Sequence, residues 1–346
     1  MSTTAMYVDQ VLVHWGEDFM WQERKPVIKS RDEALRFFLK IGRSAQVRQH
    51  TSGGSSLTPK AVRDHLEGVV RRTRQVMVKV TGGGGDMKRI GAHMDYIARS
   101  GRYKKKGEEE IELEAEDGTL FKGKEALEVL KDQWRLGGAP IRLEAPSFVE
   151  PDGRVRKPRR EALNVIFSMP GGVDPEKVVA ATRATAKVLF SNHQYVIAHH
   201  DDTNNPHAHV TVKMVGFDGQ RLNPRKADLE QWRIEFAKQL NLRGVEAVAT
   251  RRRTRLKRDK GESQAVREMK ERGVRPQRES TATAQTGARA RALENDQRIA
   301  QAYRQIAQAL ATSPDQADRA LAQGLKHWMQ EQGVSTKLSP TRKPRI

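Results

Sequence analysis

Four histidines and two aspartates lie close together in one short stretch of the sequence. This stretch runs from Tyr195 to Val212 and reads YVIAHHDDTNNPHAHVTV. The whole chain has only ten histidines, so nearly half of them occur here. The apolar residues on either side of DDTNNP predict two strands joined by a turn, which would bring the histidines of both strands together. Imidazole groups that converge on one point can bind a divalent metal ion.

The composition of the predicted metal site follows from strand geometry. His207 and His209 are two residues apart in the second strand, so their side chains face the same way. A histidine of the first strand can join them across an antiparallel ladder, but alternation places His199 and His200 on opposite faces. The third ligand is therefore either His199 or His200. The spacing of His200 and Asp202 brings a carboxylate near the cluster, which could orient a ligand histidine or take up a proton.

A His-only site leaves two reactions open, namely hydrolysis by metal-bound water and attack on a phosphodiester by a side chain. The chain has no cysteine, so an attacking side chain would carry a hydroxyl group. We predict a helix over residues 86–99, in which Tyr96 points towards the side of Arg89 and His93. The apolar stripe of this helix lies elsewhere and consists of Met87, Ile90, Met94 and Ile97. Tyr96 is therefore the candidate nucleophile.

The charge of the chain indicates a polyanionic partner. The 346 residues carry a net charge of +20 and give a pI near 10.2, which favours nucleic acid. No run of about eighteen apolar residues occurs, and aromatic residues make up only 5%, so membrane insertion is not expected. The start of the sequence lacks the pattern of a secretory signal, and we expect a cytoplasmic protein. The absence of cysteine excludes disulfides, thiolate metal sites and a cysteine nucleophile.

The sequence divides into three predicted regions. Residues 1–75 form a helical N-terminal extension, residues 76–250 form the domain with the histidine cluster, and residues 251–346 form a basic C-terminal region that is helical or partly disordered. Within the middle region the order strand, helix, strand, hairpin and helix predicts an α+β fold. Its central antiparallel β-sheet would be backed by helices.

Several local signals predict individual elements. Asp174 and Pro175 are typical of a helix N-cap and first helical position. Asp117 followed by Gly118, between two alternating segments, is typical of a β-hairpin. Further helices are predicted over residues 31–42, 57–74 and about 289–332.

Two segments in this order resemble conjugative DNA relaxases of the HUH superfamily. The first is VMVKVTGGGGDMKRIGAHMDYIARSGR, which contains Tyr96, and the second is the HxDxxxPHxH pattern from His200 to His209. The resemblance covers about residues 76–260. More narrowly, the sequence is similar to the relaxases of P-type plasmid mobilisation and to the T-DNA border endonuclease. The implied fold is the relaxase palm, an antiparallel sheet backed by helices.

The resemblance implies roles for individual residues. Tyr96 would attack the scissile phosphate at the nick site of a transfer origin, which gives a 5′-phosphotyrosine link and a free 3′-hydroxyl group. Asp202 would be the catalytic acidic residue beside the metal, and Ser168 resembles a serine that contacts DNA near the nick. A divalent ion, Mg²⁺ or Mn²⁺, would be held by His200, His207 and His209.

Basic residues are the predicted DNA contacts. Arg89 and Arg99 lie near the tyrosine in sequence and would assist it. The run RRRTRLKRDK begins with Arg251, Arg252 and Arg253, and a run of this kind binds phosphates without reading sequence.

The resemblance also implies partners and a location. The DNA partner would be single-stranded or supercoiled origin-of-transfer DNA, bound together with accessory proteins of a relaxosome. The basic tail TRKPRI resembles tails that are read by the coupling protein of type IV secretion. The implied location is the bacterial cytoplasm, with export to a recipient cell while attached to DNA.

Three alternatives remain open at this point. A rolling-circle replication initiator uses the same chemistry at a different origin. A basic DNA-binding accessory protein would bind DNA without cleaving it. A zinc phosphohydrolase would act without Tyr96 and leave no covalent adduct.

Overall fold

The computed structural model describes most of the chain. The described residues are 3–20, 59–104, 107, 109–149, 152, 155–156, 158–200, 204–250, 254–256, 269–270, 272–274 and 282–334. The chain divides into two compact units, one formed by Thr73–Ala249 and the other by the segments on either side of it. The predicted helix over residues 31–42 lies outside the described residues.

The central unit contains the strands, numbered here in chain order. They are β1 (Arg74–Gln75), β2 (Met77–Gly82), β3 (Leu113–Ala115), β4 (Leu120–Phe121), β5 (Phe148–Val149), β6 (Val155–Arg156), β7 (Ala162–Ser168), β8 (Tyr195–His200), β9 (His207–Lys213) and β10 (Ala247–Val248). Six of them form an antiparallel sheet in the order β2-β7-β9-β8-β3-β4. The predicted α+β fold with a central antiparallel sheet is confirmed.

The described residues also form eight α-helices. They are α1 (Thr3–Met20), α2 (Pro59–Val70), α3 (Met87–Ile97), α4 (Lys124–Leu136), α5 (Pro175–Leu189), α6 (Lys226–Asn241), α7 (Ala282–Ala311) and α8 (Gln316–Glu331). Within the described part of the chain, no helix combines the length and apolar character that crossing a membrane requires.

Both faces of the sheet are covered by helices, although not to the same extent. On one face α5 and α6 pack over a core that includes Phe167, Val210 and Phe236. On the other face α3 and α4 pack over β8 and β3, where Ile97 and Ala198 belong to a second core. Burial on both faces explains why β7 is apolar along most of its length, whereas β9 alternates apolar residues with two histidines, a threonine and a lysine.

Local signals in the sequence account for several boundaries. The Asp174 carboxylate accepts a hydrogen bond from the Glu176 backbone N–H, and Pro175 opens α5, as predicted. The β3–β4 hairpin turns through Gly118, whose φ of 88° favours glycine. The helix α4 was not predicted and lies just beyond a segment of mixed charge. Its buried residues Leu127, Leu130 and Trp134 nevertheless follow helical spacing.

The second unit is a group of four helices, α1, α2, α7 and α8. They share one core, which includes Leu12, Leu66, Tyr303 and Leu325. The Arg63 guanidinium joins three segments of this unit through ion pairs with Asp9 at 2.9 Å and Asp318 at 2.7 Å. Helices from the predicted N-terminal and C-terminal regions therefore pack together in one unit.

Candidate active site

Three histidines meet on the face of the sheet that carries α3 and α4. His200 on β8 lies directly opposite His207 on β9, and His209 follows two residues later on the same face. The ring centroids are 4.7 Å apart for His200 and His209, and 5.2 Å apart for each of the other two pairs. One nitrogen of each ring lies within 4.8 Å of the others, a group that could hold a metal ion.

The neighbouring histidine lies on the opposite face. His199 is paired with Ala208, and Ala208 belongs to the core under α5 and α6. Directly opposed residues in an antiparallel pair point to the same side of the sheet. The sheet register therefore groups His200, and not His199, with the two histidines of β9.

The hydrogen bonds of two rings determine their tautomers. The distance from His200 Nε2 to the Ile97 carbonyl oxygen is 2.9 Å, and that from His207 Nδ1 to the Asn205 carbonyl oxygen is 3.1 Å. A carbonyl oxygen only accepts, so these nitrogens donate and the lone pairs lie on His200 Nδ1 and His207 Nε2. Metal-binding histidines usually donate their other ring N–H to a carbonyl or carboxylate group. The donor set therefore fits a divalent transition-metal ion.

Tyr96 lies on α3 at the margin of this group. Its side chain is 53% exposed, whereas the apolar stripe of α3 is buried, as the sequence predicted. The helix is capped at its N-terminus by Asp86, whose side chain accepts a hydrogen bond from the Arg89 backbone N–H. It ends at Ile97, whose carbonyl accepts from His200. The residue after Tyr96 is thus hydrogen-bonded to one of the three histidines.

His93 connects the tyrosine to the histidine group and was given no role from the sequence. Its ring stacks against Tyr96 with centroids 6.1 Å apart and meets the His209 ring at 6.3 Å. His93 Nε2 is buried and has no hydrogen-bond partner among the described residues. Burial lowers the pKa of His93 and so favours its neutral imidazole. Its position three residues before Tyr96, on the same side of a helix, was the signal available in the sequence.

Tyr103 also contacts the candidate nucleophile. The rings of Tyr96 and Tyr103 meet edge to face at 5.6 Å. Arg102 lies over the Tyr103 ring at 4.8 Å and donates to its hydroxyl group at 2.7 Å. The chain turns back towards Tyr96 through Arg99 and Gly101, which have φ angles of 50° and 58°. Tyr103 and Arg102 are site neighbours that the sequence analysis did not single out.

The structure also describes three other predicted site residues, Ser168, Arg89 and Arg99. Ser168 is opposite His207 on β7, is buried, and donates to the Met169 carbonyl. Arg89 lies two turns before Tyr96, about 10 Å along the helix, and forms an ion pair with Asp86. Arg99 lies in the turn directly after α3.

Four predicted residues cannot be placed in the site. Asp202, Arg251, Arg252 and Arg253 lie outside the described residues. Their roles stay predictions, as do those of the placed residues.

Comparison with known proteins gives one match. Residues 124–243 match the family described as "Relaxase: MobA/VirD2-like, nuclease domain". The matched segment is 120 of the 346 residues and includes β7, β8 and β9 with all three histidines. Tyr96 precedes it. A comparison with curated proteins finds no significant sequence match.

Proposed function

Because residues 124–243 match the nuclease domain of MobA/VirD2-like relaxases, we propose that the protein is a site- and strand-specific DNA nickase and transesterase. It would initiate conjugative transfer of a plasmid or another mobile element. One observation carries this proposal: the histidine group of the sheet is hydrogen-bonded to the end of the helix that presents Tyr96. A phosphate bound at the histidines would lie beside an exposed phenol group.

The proposed reaction is a transesterification. The Tyr96 phenol oxygen attacks the scissile phosphorus, and a new P–O bond forms to tyrosine while the P–O3′ bond breaks. The phenol loses its proton, and the departing 3′ oxygen gains one to become a hydroxyl group. The DNA remains attached through its 5′ phosphate. Because the number of phosphoester bonds is unchanged, the reverse reaction can rejoin the ends.

The residues around the tyrosine support this reaction by position. His93 and Tyr103 contact the Tyr96 ring and limit its movement. His200, His207 and His209 would hold a divalent ion, Mg²⁺ or Mn²⁺. When bound, such an ion supplies positive charge to a non-bridging phosphate oxygen. Asp202 is proposed to assist as the acidic residue beside the histidines, and Ser168 as a DNA contact opposite His207.

The proposed partners follow from the same function. The substrate is single-stranded or supercoiled origin-of-transfer DNA, bound with relaxosome accessory proteins. Arg89, Arg99 and the basic run that begins at Arg251 would contact the phosphate backbone. The type IV secretion coupling protein would read the C-terminal tail, and the reaction would start in the bacterial cytoplasm.

A test of the proposal searches for the covalent adduct. The full chain is incubated with oligonucleotides that carry candidate transfer origins and with supercoiled origin plasmid, in the presence of Mg²⁺ or Mn²⁺. We expect one strand to be nicked, with protein on the 5′ end and the DNA attached to the peptide that contains Tyr96. Tyr96→Phe should abolish the adduct. Tyr7→Phe is a matched control, since Tyr7 is similarly exposed, at 54%.

Two results would overturn the proposal. If Tyr96→Phe nicks as well as the parent and leaves no adduct, the protein is a phosphohydrolase. If no DNA is cleaved but binding is retained, the protein is an accessory DNA-binding protein.

A further inference from the structure

The histidines belong to two rows of residues that cross four strands of the sheet. The sheet register places these residues opposite one another on the same face. The first row consists of His200, His207, Ser168 and Met77. The second row consists of Ala198, His209, Ile166 and Lys79.

The two halves of these rows differ in how far other elements pack over them. The β8 half lies under α3, where Ala198 is buried against Ile97 and its neighbours. At the other end, on the edge strand β2, Met77 is 47% exposed and Lys79 is exposed. Ile166 of β7 is half-buried. We call Met77, Lys79 and Ile166 the open strip.

The open strip combines apolar side chains with a positive charge. Two apolar side chains flank one lysine, and Lys79 forms no ion pair with any described residue. The rows that contain the strip carry no carboxylate side chain. A surface that combines exposed apolar groups with an uncompensated positive charge fits a ligand with both flat apolar faces and negative charges.

We propose that the open strip binds the unpaired nucleotides next to the scissile phosphate. Lys79 contacts a backbone phosphate, and Met77 and Ile166 contact the face of a base. This inference rests on the proposed function, because it takes the histidine group as the position of the scissile phosphate. It adds a binding surface on β2, which lies outside the segment matched by the relaxase family.

The dimensions of the sheet agree with this arrangement. Neighbouring strands are about 4.8 Å apart, so Met77 lies two strand spacings, about 10 Å, from His207 along the first row. A nucleotide directly adjacent to the bound phosphate would reach the strip. Tyr96 lies on the other side of the histidines from the open strip, because α3 packs over the β8 half of the sheet.

The apolar part of the strip favours a single strand over a duplex. In a duplex the faces of the bases are stacked inside, whereas an unpaired strand exposes them to protein side chains. Met77 and Ile166 can therefore contact the face of a base only when the bases are unpaired. Lys79 alone would attract either form through its charge.

The first test measures binding of a 30-nucleotide single strand without added metal, as a function of salt. Lys79→Gln should weaken binding about threefold to tenfold and reduce the slope of log K against log salt by about 0.7, the value for one phosphate contact on a single strand. Lys187→Gln is the matched control. It removes the same charge from an exposed position on α5, which packs on the other face of the sheet.

The second test uses the absence of cysteine in the chain. Met77→Cys introduces a unique thiol, and its rate of labelling by a maleimide is measured with and without the same single strand. We expect the DNA to slow labelling at least about fivefold. The thiol of Val188→Cys, at a 57% exposed position on α5, should be labelled at the same rate in both cases. A duplex of the same length should protect the Met77→Cys thiol less.

The outcomes separate this inference from the proposed function. If Lys79→Gln behaves like Lys187→Gln and the Met77→Cys thiol is not protected, the strip does not bind DNA, whether or not the protein nicks. If the strip binds but Tyr96 forms no adduct, the proposed function fails while the binding surface stands. If a duplex protects the thiol as well as a single strand, the preference for unpaired nucleotides is wrong.

Discussion

Two adjacent histidines show how strongly the face of a sheet determines the role of a residue. His199 and His200 have the same side chain and neighbouring positions on β8. His200 lies with His207 and His209, whereas His199 lies opposite Ala208 on the other face. Only one of the two can contribute to a metal site on this face.

This difference gives a prediction for the two single variants. His200→Ala should reduce metal-dependent nicking by about 100-fold or more, because the cation would lose one of three ligands and α3 would lose its hydrogen bond. His199→Ala should change nicking by less than about tenfold. Nicking of an origin oligonucleotide is the measurement, with circular dichroism as the control for folding. The reverse order of effects would show that His199 is the ligand.

The identity of the donors also predicts a metal preference. Three imidazoles are poor ligands for Mg²⁺, which prefers oxygen and gives up its water reluctantly, whereas transition-metal ions accept nitrogen. Either ion is titrated into the Tyr96→Phe variant while the melting temperature is measured. The Mn²⁺ concentration at the midpoint of the rise in melting temperature should therefore be at least about tenfold below the corresponding Mg²⁺ concentration. Equal midpoints in this titration would contradict a three-histidine site. His207→Ala should abolish the shift with either ion.

At the scale of elements, the position of α4 depends on a buried lysine of β9. Lys213 Nζ donates to the carbonyls of Trp134 at 2.9 Å and Gly137 at 2.6 Å, and to the Gln194 side-chain oxygen at 3.0 Å. These carbonyls end the helix, where a positive charge is favourable. Burial lowers the pKa of Lys213, and its three partners offset the cost of that burial.

Removal of this contact should destabilise the central unit. Lys213→Met provides a side chain of similar length without the ammonium group, so the carbonyls at the end of α4 lose their donor. We expect the free energy of unfolding to fall by about 2 kcal/mol, measured by urea denaturation. Lys177→Met, at an exposed position on α5, is the matched control and should change it by less than about 0.5 kcal/mol. Equal stability of the two variants would show that Lys213 makes no net contribution.

At the scale of the whole molecule, the four-helix unit contains its own buried titratable group. Burial and, to a smaller extent, the positive charge of Arg255 together lower the pKa of His65 from 6.5 to about 4. The folded state therefore keeps His65 neutral in a pH range where the unfolded chain binds a proton.

The sign of the resulting pH dependence follows from linkage. The contribution of His65 to stability is fully present above pH 6.5 and is lost as the pH falls towards 4. A decrease of roughly 3 kcal/mol is expected over this range, at 1.36 kcal/mol per pH unit. Thermal unfolding of the parent and of His65→Leu between pH 7 and pH 4 measures it. The variant should lose this part of the pH dependence, and His14→Gln, at an exposed position on α1, should retain it.

Local patterns in the sequence determined several features of this protein. The two-residue spacing of His207 and His209 placed them on one face, because side chains alternate along a strand. The apolar stripe of α3 placed Tyr96 outside the core, because the helical period sets which residues face the sheet. Asp174 with Pro175 and Asp117 with Gly118 marked a helix start and a hairpin through backbone preferences of single residues.

Only the tertiary structure decided how these pieces meet. The choice between His199 and His200, the contact of His93 with both Tyr96 and His209, and the rows that lead from the histidines to Met77 and Lys79 all depend on the strand order β2-β7-β9-β8-β3-β4. The packing of α1 and α2 with α7 and α8 likewise joins segments far apart in the chain. Strand neighbours and register result from packing between distant segments, whereas the periodicity of one segment reports only which of its own residues share a face.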